Sequence, residues 1–404
     1  VNGSGVQSMS GARPAEVIPP VPDIGQQKAP GGWRDCLRER GPEGFAAAVR
    51  GHRALLVTDT TWRDAHQSLL ATRVRTRDLE DIAPATAHHM AGAYSLEMWG
   101  GATFDVALRF LHECPWDRLD RLRDKVPNVP FQMLLRGASA VGYSNYPDNV
   151  VKRFVATAHA HGVDIFRVFD ALNYLENMRF GIDAVGEAGG VIEAAICYTG
   201  DVAAPGPRKY SLDYYVDLAG RLHALGIHVL AIKDMAGLLK PRAATLLVGK
   251  LRESFPDLPI HVHTHDTAGT GVTSMLACAE AGADVIDAAL PAMAGLTSQP
   301  TVAAIAAALE GSDRAVELKS TGIQELNGYW EACRGLYAPF ESGLSGYAPD
   351  LYQHEIPGGQ YTNLRFQAFS LGLADRWDSI KRNYAAANRL LGDLIKVTPT
   401  SKVV

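Results

Sequence analysis

Eight short apolar runs, each followed by a stretch of helical periodicity, constrain this chain more than any other feature. The runs are Ala54–Val57, Tyr94–Met98, Phe131–Leu135, Ile165–Phe169, Val191–Cys197, Val229–Ile232, Ile260–His263 and Val285–Leu290. Amphipathic segments lie between them, among them Leu79–Met90, Val150–Ala160, Tyr214–Leu225, Ala243–Ser254 and Gly271–Ala281. Several end at glycine or begin beside proline, as at Gly162, Gly226, Pro241 and Gly282, which are ordinary stop and start signals for helices. Strands of a parallel sheet are buried on both faces and read as continuous apolar runs. Eight of them at roughly 24–40-residue spacing predict an α/β fold, a closed (β/α)8 TIM barrel. An open doubly wound sheet is the competing topology, and it carries a Gly-rich phosphate turn after its first strand. Here Thr60-Thr61-Trp62-Arg63-Asp64 follows instead, and no GxGxxG, Walker A or GxSxG motif stands where it would be needed.

The flanks differ from the barrel. Residues 1–32 hold five prolines and six glycines, a linker-like composition, and Ile18–Pro22 is expected to be extended and exposed. The barrel is assigned to residues 33–312. Beyond it the strand signal fades, and residues 320–345 and 364–395 look helical, with a Gly-rich turn at Pro357-Gly358-Gly359 between them. Residues 313–404 are therefore expected to form an appended, mostly helical unit. The stop at Val404, soon after a helix expected to end near Ile395, reads as a truncation.

Composition narrows the function. A chain of 404 residues with 47% hydrophobic and 21% charged residues can bury a sizeable core. Its 39 basic against 44 acidic residues give a net charge of -5, which argues against a nucleic-acid or anionic-membrane surface. The cysteines are Cys36, Cys114, Cys197, Cys278 and Cys333. They form no CxxC pair, so neither a zinc ribbon nor a disulfide framework is expected, and a reducing compartment is implied. Ala288–Leu309 is the longest uncharged run, but Pro291, Gly295 and Pro300 interrupt it, so it reads as strand, loop and helix rather than a membrane span. Residues 1–12 lack the apolar core of a signal peptide. A cytoplasmic location in a bacterial source is the expectation.

Active sites of such barrels lie at the C-terminal ends of the strands. Asp64 follows the first strand, Lys233 ends the sixth, and His261, His263 and His265 mark the seventh. Alternate strand residues share a face, so the three histidines point one way, with His263 and His265 nearer the catalytic rim. Two imidazoles and a carboxylate suit a divalent transition metal; a stripe of internally satisfied histidines is the competing reading. Lys233 has three readings. Its amine can form a Schiff base, it can react with CO2 to give a metal-binding carbamate, or it can pair structurally with Asp234. The first two need the neutral amine, which burial favours. Arg136 ends the third strand, and Arg63 and Gln67 flank Asp64. An arginine fork matches a carboxylate, so these residues either clamp a small organic acid or make ion pairs in the barrel mouth.

The motifs together resemble the biotin-dependent carboxyltransferases. The resemblance is carried by Thr58–Thr72, Trp99–Asp105, Gln132–Gly137, Phe166–Asn173, Lys233–Pro241, His263–Asp266, Thr297–Pro300 and Pro357–Leu364, and it covers residues 33–404. Within that family the chain is most similar to the carboxyltransferase region of pyruvate carboxylases, because a Pro-rich lead and Arg34–Phe45 precede the barrel. The relatives weighed against it are oxaloacetate decarboxylase alpha subunits and transcarboxylase 5S subunits. Pro291 and Ala294 depart from the family, which often has an acidic residue and a serine there.

The resemblance implies transfer of CO2 from carboxybiotin to pyruvate, giving oxaloacetate through a metal-stabilised enolate. It implies metal ligands at Asp64, Lys233 as its carbamate, His263 and His265, with zinc or manganese equally suited. It implies pyruvate contacts from Arg63, Gln67 and Arg136, a biotin pocket at Asp105, Tyr143 and Ser401 that also touches Arg136, and proton transfer by Thr398. The family's MKM biotin-accepting segment and its ATP-using domain are absent from this sequence. Biotin is therefore expected on a separate carrier domain, charged by a biotin carboxylase domain, within a homo-tetramer. A Schiff-base aldolase using Lys233, an acyl-CoA condensing enzyme and a non-catalytic scaffold are the readings from other classes.

Overall fold

A computed structural model describes residues 18–25, 28–398 and 404. Its strands are β1 (Leu56–Asp59), β2 (Ser95–Trp99), β3 (Phe131–Leu135), β4 (Ile165–Phe169), β5 (Val191–Cys197), β6 (Val229–Asp234), β7 (Ile260–Thr264) and β8 (Val285–Ala288). They close into a barrel in sequence order, and every neighbouring pair is parallel, including β8 with β1. All eight expected runs are strands, with ends shifted by one or two residues at most of them. The first run shifts by two residues at both ends, beginning at Leu56 and ending at Asp59.

Inward-facing residues change character along the barrel axis. At the strand starts, Leu56, Ile165, Val191, Val229 and Val285 form an apolar cluster with Tyr94. Phe45 and Val49 of the helix Trp33–Gly51 pack into the same cluster, so this helix plugs the N-terminal end of the barrel. The helix bends at Gly41, whose φ of 69° precedes Pro42. Two residues further along the strands the interior is polar: Gln132, Arg167, Glu193, His261 and Asp287 are all buried. Two residues further along β7 stands His263, in register with Lys233 on β6; Glu97 on β2 is in register with Gln132.

The residues after 312 are mostly helical, with boundaries that differ from expectation. The helix Ser320–Leu336 stops ahead of a short 3-10 turn at Ala338–Phe340, because Pro339 cannot continue an α-helix. The run Pro357-Gly358-Gly359, expected to be a turn between helices, instead opens the helix Gly358–Ser370. Pro357, at φ -58° and ψ 145°, precedes its first turn. The reason is close approach: a Cβ on Gly358 would lie 2.9 Å from the Thr297 carbonyl oxygen and 3.1 Å from His265 Nδ1. The second expected helix is two, Gly358–Ser370 and Trp377–Leu390.

This unit packs on the C-terminal face of the barrel. Gly358 N donates to Met235 O at 3.2 Å and Ala348 N to Thr267 O at 2.8 Å. Thr270 and Tyr352 share a hydroxyl–hydroxyl bond of 2.7 Å. Lys209 and Tyr210, in the loop after β5, donate to the carbonyls of Gly392 and Asp393. Ile395 and Val397 are buried in the main core. Ile18 and Val21 are exposed, as their Pro-rich setting predicts. Among the described residues, no helix is long and apolar enough to cross a membrane.

Two expectations test this packing. Phe45→Ala should lower the unfolding free energy by about 3–5 kcal/mol, read by urea denaturation; a loss below about 1 kcal/mol would mean that the plug is not part of the core. Gly358→Ala should cost about 1–3 kcal/mol through overpacking and turn the His265 ring away from Thr297. An unchanged melting temperature would show that the approach is slack.

Candidate active site

Asp64 reaches the barrel mouth from a π-helical turn, Thr61–Ala65. Thr60 O accepts from both Arg63 N (3.0 Å) and Ala65 N (3.1 Å), so the turn holds one residue more than an α-helical one. Such turns often occur at functional sites. Here the wide turn lets two neighbours in sequence, Arg63 and Asp64, face each other: Arg63 Nη1 donates to Asp64 Oδ1 at 2.6 Å. Gln299 Nε2 donates to the other carboxylate oxygen at 2.7 Å.

His263 and His265 bring Nε2 to 3.5 and 3.4 Å from Asp64 Oδ2. Asp64, His263 and His265 form the one group of three or more His, Cys, Asp or Glu side chains among the described residues whose donor atoms converge closely enough for a metal ion. The far side of each ring is fixed. His263 Nδ1 lies 2.6 Å from Asp287 Oδ2, and His265 Nδ1 lies 2.7 Å from Thr297 O. A carboxylate and a carbonyl only accept, so both Nδ1 atoms carry the proton and both Nε2 atoms present lone pairs. Those two Nε2 atoms are buried without a hydrogen-bond partner, which is costly unless something meets them. Burial also pushes the His263 pKa down to about 3, and a neutral imidazole is the form that binds a metal. The donor set therefore fits a divalent ion.

Lys233 stands beside this group. It is buried, its Nζ lies 2.5 Å from Met235 Sδ and 5.2 Å from the centre of the Phe169 ring. Burial lowers its pKa to about 8, against an opposing pull from Asp64. The pairing with Asp234 is not made: Asp234 accepts from Leu238 N, Leu239 N and Thr264 Oγ1. Asp64 stays ionised, because the Arg63 guanidinium, with Lys233, outweighs the effect of burial and holds it well below the usual carboxylate range.

The other expected residues fall into four groups. Arg63 and Gln67 are in the site, and Arg63 Nη1 donates to Gln67 Oε1 at 3.2 Å. Arg63 also donates to Glu97, so its guanidinium is shared among three acceptors. Arg136 and Tyr143 meet, with the guanidinium carbon 5.3 Å from the tyrosine ring centre, and Arg136 donates to Gly142 O. Asp105 is instead paired with Arg109 at 3.1 Å, one helical turn away. Thr398 is half-buried directly after Val397, and Ser401 lies outside the described residues.

Sequence reasoning missed Glu97, Asp287 and Gln299. Gln299 lies in the quoted Thr297–Pro300 motif, with no role attached to it. Glu97 and Asp287 were available as acidic residues inside apolar runs, a rare and informative pattern.

Comparison with known proteins fits this geometry. A family described as "Conserved carboxylase domain" matches residues 351–404, and one described as "HMGL-like" matches residues 146–328. The mitochondrial pyruvate carboxylase of Mus musculus is 57% identical over 406 residues, covering 100% of this chain and 34% of the relative. The pyruvate carboxylase of Schizosaccharomyces pombe is 57% identical over 413 residues, covering 100% of this chain and 35% of the relative. The chain thus spans about a third of the length of these relatives. The carboxyl transferase domain of Rhizobium etli pyruvate carboxylase, solved with pyruvate, superposes with a TM-score of 0.94 at 52% identity, covering 96% of this chain and 65% of that one. The same domain with oxamate and biotin gives 0.94, covering 97% and 66%.

The expected cytoplasmic location and bacterial source are overturned by these relatives, since those from mouse, rat and human are mitochondrial. The cysteine pattern behind the expected reducing compartment does not distinguish one such compartment from another. By motif order, barrel topology and identity along its whole length, the chain belongs to the carboxyltransferase regions of the pyruvate carboxylase family.

Proposed function

We propose that this chain carries out the second half-reaction of a pyruvate carboxylase, moving CO2 from carboxybiotin to pyruvate to form oxaloacetate. The observation that carries the reading is the pair of buried, unpartnered imidazole nitrogens beside Asp64 Oδ2. Asp64, His263, His265 and Lys233 would hold a divalent ion, zinc or manganese. Lys233 joins as a carbamate, formed when its amine nitrogen bonds to CO2 and releases a proton; a pKa near 8 makes the required neutral amine accessible. The two negative charges of Asp64 and the carbamate would balance the ion. When bound, that ion supplies Lewis acidity towards the pyruvate carbonyl and so favours loss of a methyl proton as the enolate forms.

The chain's own groups do the rest. Arg136 offers a guanidinium to the pyruvate carboxylate, and Gln67, held by Arg63, orients the keto acid. Thr398 Oγ1 takes the methyl proton while passing its own to the ureido nitrogen of decarboxylated biotin; a hydroxyl does this only in one concerted step. The carbanion carbon then bonds to CO2. Tyr143, with Asp105 and Ser401, lines the approach of biotin. Biotin arrives on a carrier domain charged by an ATP-using biotin carboxylase domain, both in the longer protein, a homo-tetramer. The length of the relatives supports this arrangement. The unpartnered Nε2 atoms favour the metal reading over a Schiff-base aldolase, which has no use for them.

Thr398→Ala should abolish biotin-dependent carboxyl transfer while bound metal is retained, checked by elemental analysis beside the assay; lost metal would argue against proton transfer by Thr398. Lys233→Ala should reduce metal content and activity together. A fully metallated and active variant would sink the carbamate assignment.

A further inference from the structure

Asp287 sits inside β8 with no exposure to solvent, and its four hydrogen bonds occupy both carboxylate oxygens. Oδ2 meets His263 Nδ1 at 2.6 Å and Arg167 Nη1 at 2.5 Å. Oδ1 meets His261 Nε2 at 2.6 Å and Arg167 Nη2 at 3.1 Å. Only the first of these contacts touches a residue of the site. Because the acceptor is a carboxylate, the proton of His263 must lie on Nδ1, which leaves Nε2 with its lone pair towards Asp64.

We infer that Asp287 is a positioning residue: it sets the tautomer and ring plane of His263, and thereby the metal affinity of the site. The inference rests on the metal reading above and adds what orients the ligand. The remaining contacts supply the rigidity. Arg167 spans the barrel interior from β4, gripping Asp287 with both terminal nitrogens and donating to Glu193 on β5. His261 bridges Glu193 Oε2 (2.9 Å) and Asp287 Oδ1 (2.6 Å). Asp287 cannot shift without breaking its bonds to two strands, β4 and β7. An amide in its place could not serve. Its NH2 would face either Arg167 and His261, which are donors, or His263, whose proton would then be driven to the ligand nitrogen.

The test compares Asp287→Asn with Glu193→Gln in the full-length protein. Glu193→Gln breaks the same buried network but leaves the His263 contact alone. Each protein is stripped of metal, its melting temperature is recorded, and zinc is titrated back against a competing chelator. Asp287→Asn should lose roughly ten- to a hundredfold in zinc affinity, while Glu193→Gln should lose less than about threefold even where its melting temperature falls as far. Equal losses of affinity in the two variants, or none in Asp287→Asn, would overturn the inference and leave the metal reading intact. Unaltered protein that takes up no zinc would overturn both. If Asp287→Asn does not accumulate as folded protein, a metal-loaded structure of the unaltered protein decides. Zinc on His263 Nε2 with Nδ1 still bonded to Asp287 supports the inference; zinc on Nδ1, or a ring turned off Asp287, refutes it.

Discussion

Two cationic and two anionic side chains share the barrel axis, all fully buried: Arg167, His261, Glu193 and Asp287. Isolated, each would be costly to remove from water; the cost is met only where every charge is paired and every proton has an acceptor. That condition holds here. Arg167 bonds to both carboxylates, and His261 bonds to both as well. Burial alone would discharge His261, but Glu193 and Asp287 raise its pKa. Such a set tolerates few alternative arrangements, so it fixes four strands relative to one another. His263, two residues along β7 from His261, inherits that precision.

Above this floor a second charge relay runs sideways. Glu97 on β2 holds Arg63, and Arg63 holds Asp64. Burial and the nearby Asp64 and Asp287 raise the Glu97 pKa to about 7, even with Arg63 alongside. The cation serves Asp64 as much as Glu97. The helical unit after residue 312 closes the arrangement from outside, where the absence of a side chain at Gly358 lets a helix start rest against Thr297 and His265. The second imidazole is thus set by packing from another part of the chain, whereas the first is set from within the barrel.

The barrel was legible because parallel strands buried on both faces leave continuous apolar runs, a local signal. The convergence of Asp64, His263 and His265 was legible for a similar reason: the two histidines share a strand face, and Asp64 follows a strand end. Local signals do not carry the partners. Arg167 meets Asp287 across 120 residues and Gln299 meets Asp64 across 235, contacts that exist only once β8 closes on β1. Asp105 is the opposite case, since its partner, Arg109, stands one helical turn away. The Pro357-Gly358-Gly359 run misled because its glycines serve contact with the barrel rather than a reversal of chain direction.

The helix that plugs the far end has a consequence for traffic. With Phe45 and Val49 packed among the strand starts, the barrel is closed at that end among the described residues. A group held at Asp64 is thereby shielded from the end that this helix seals, and exchange is left to the face where the strands end.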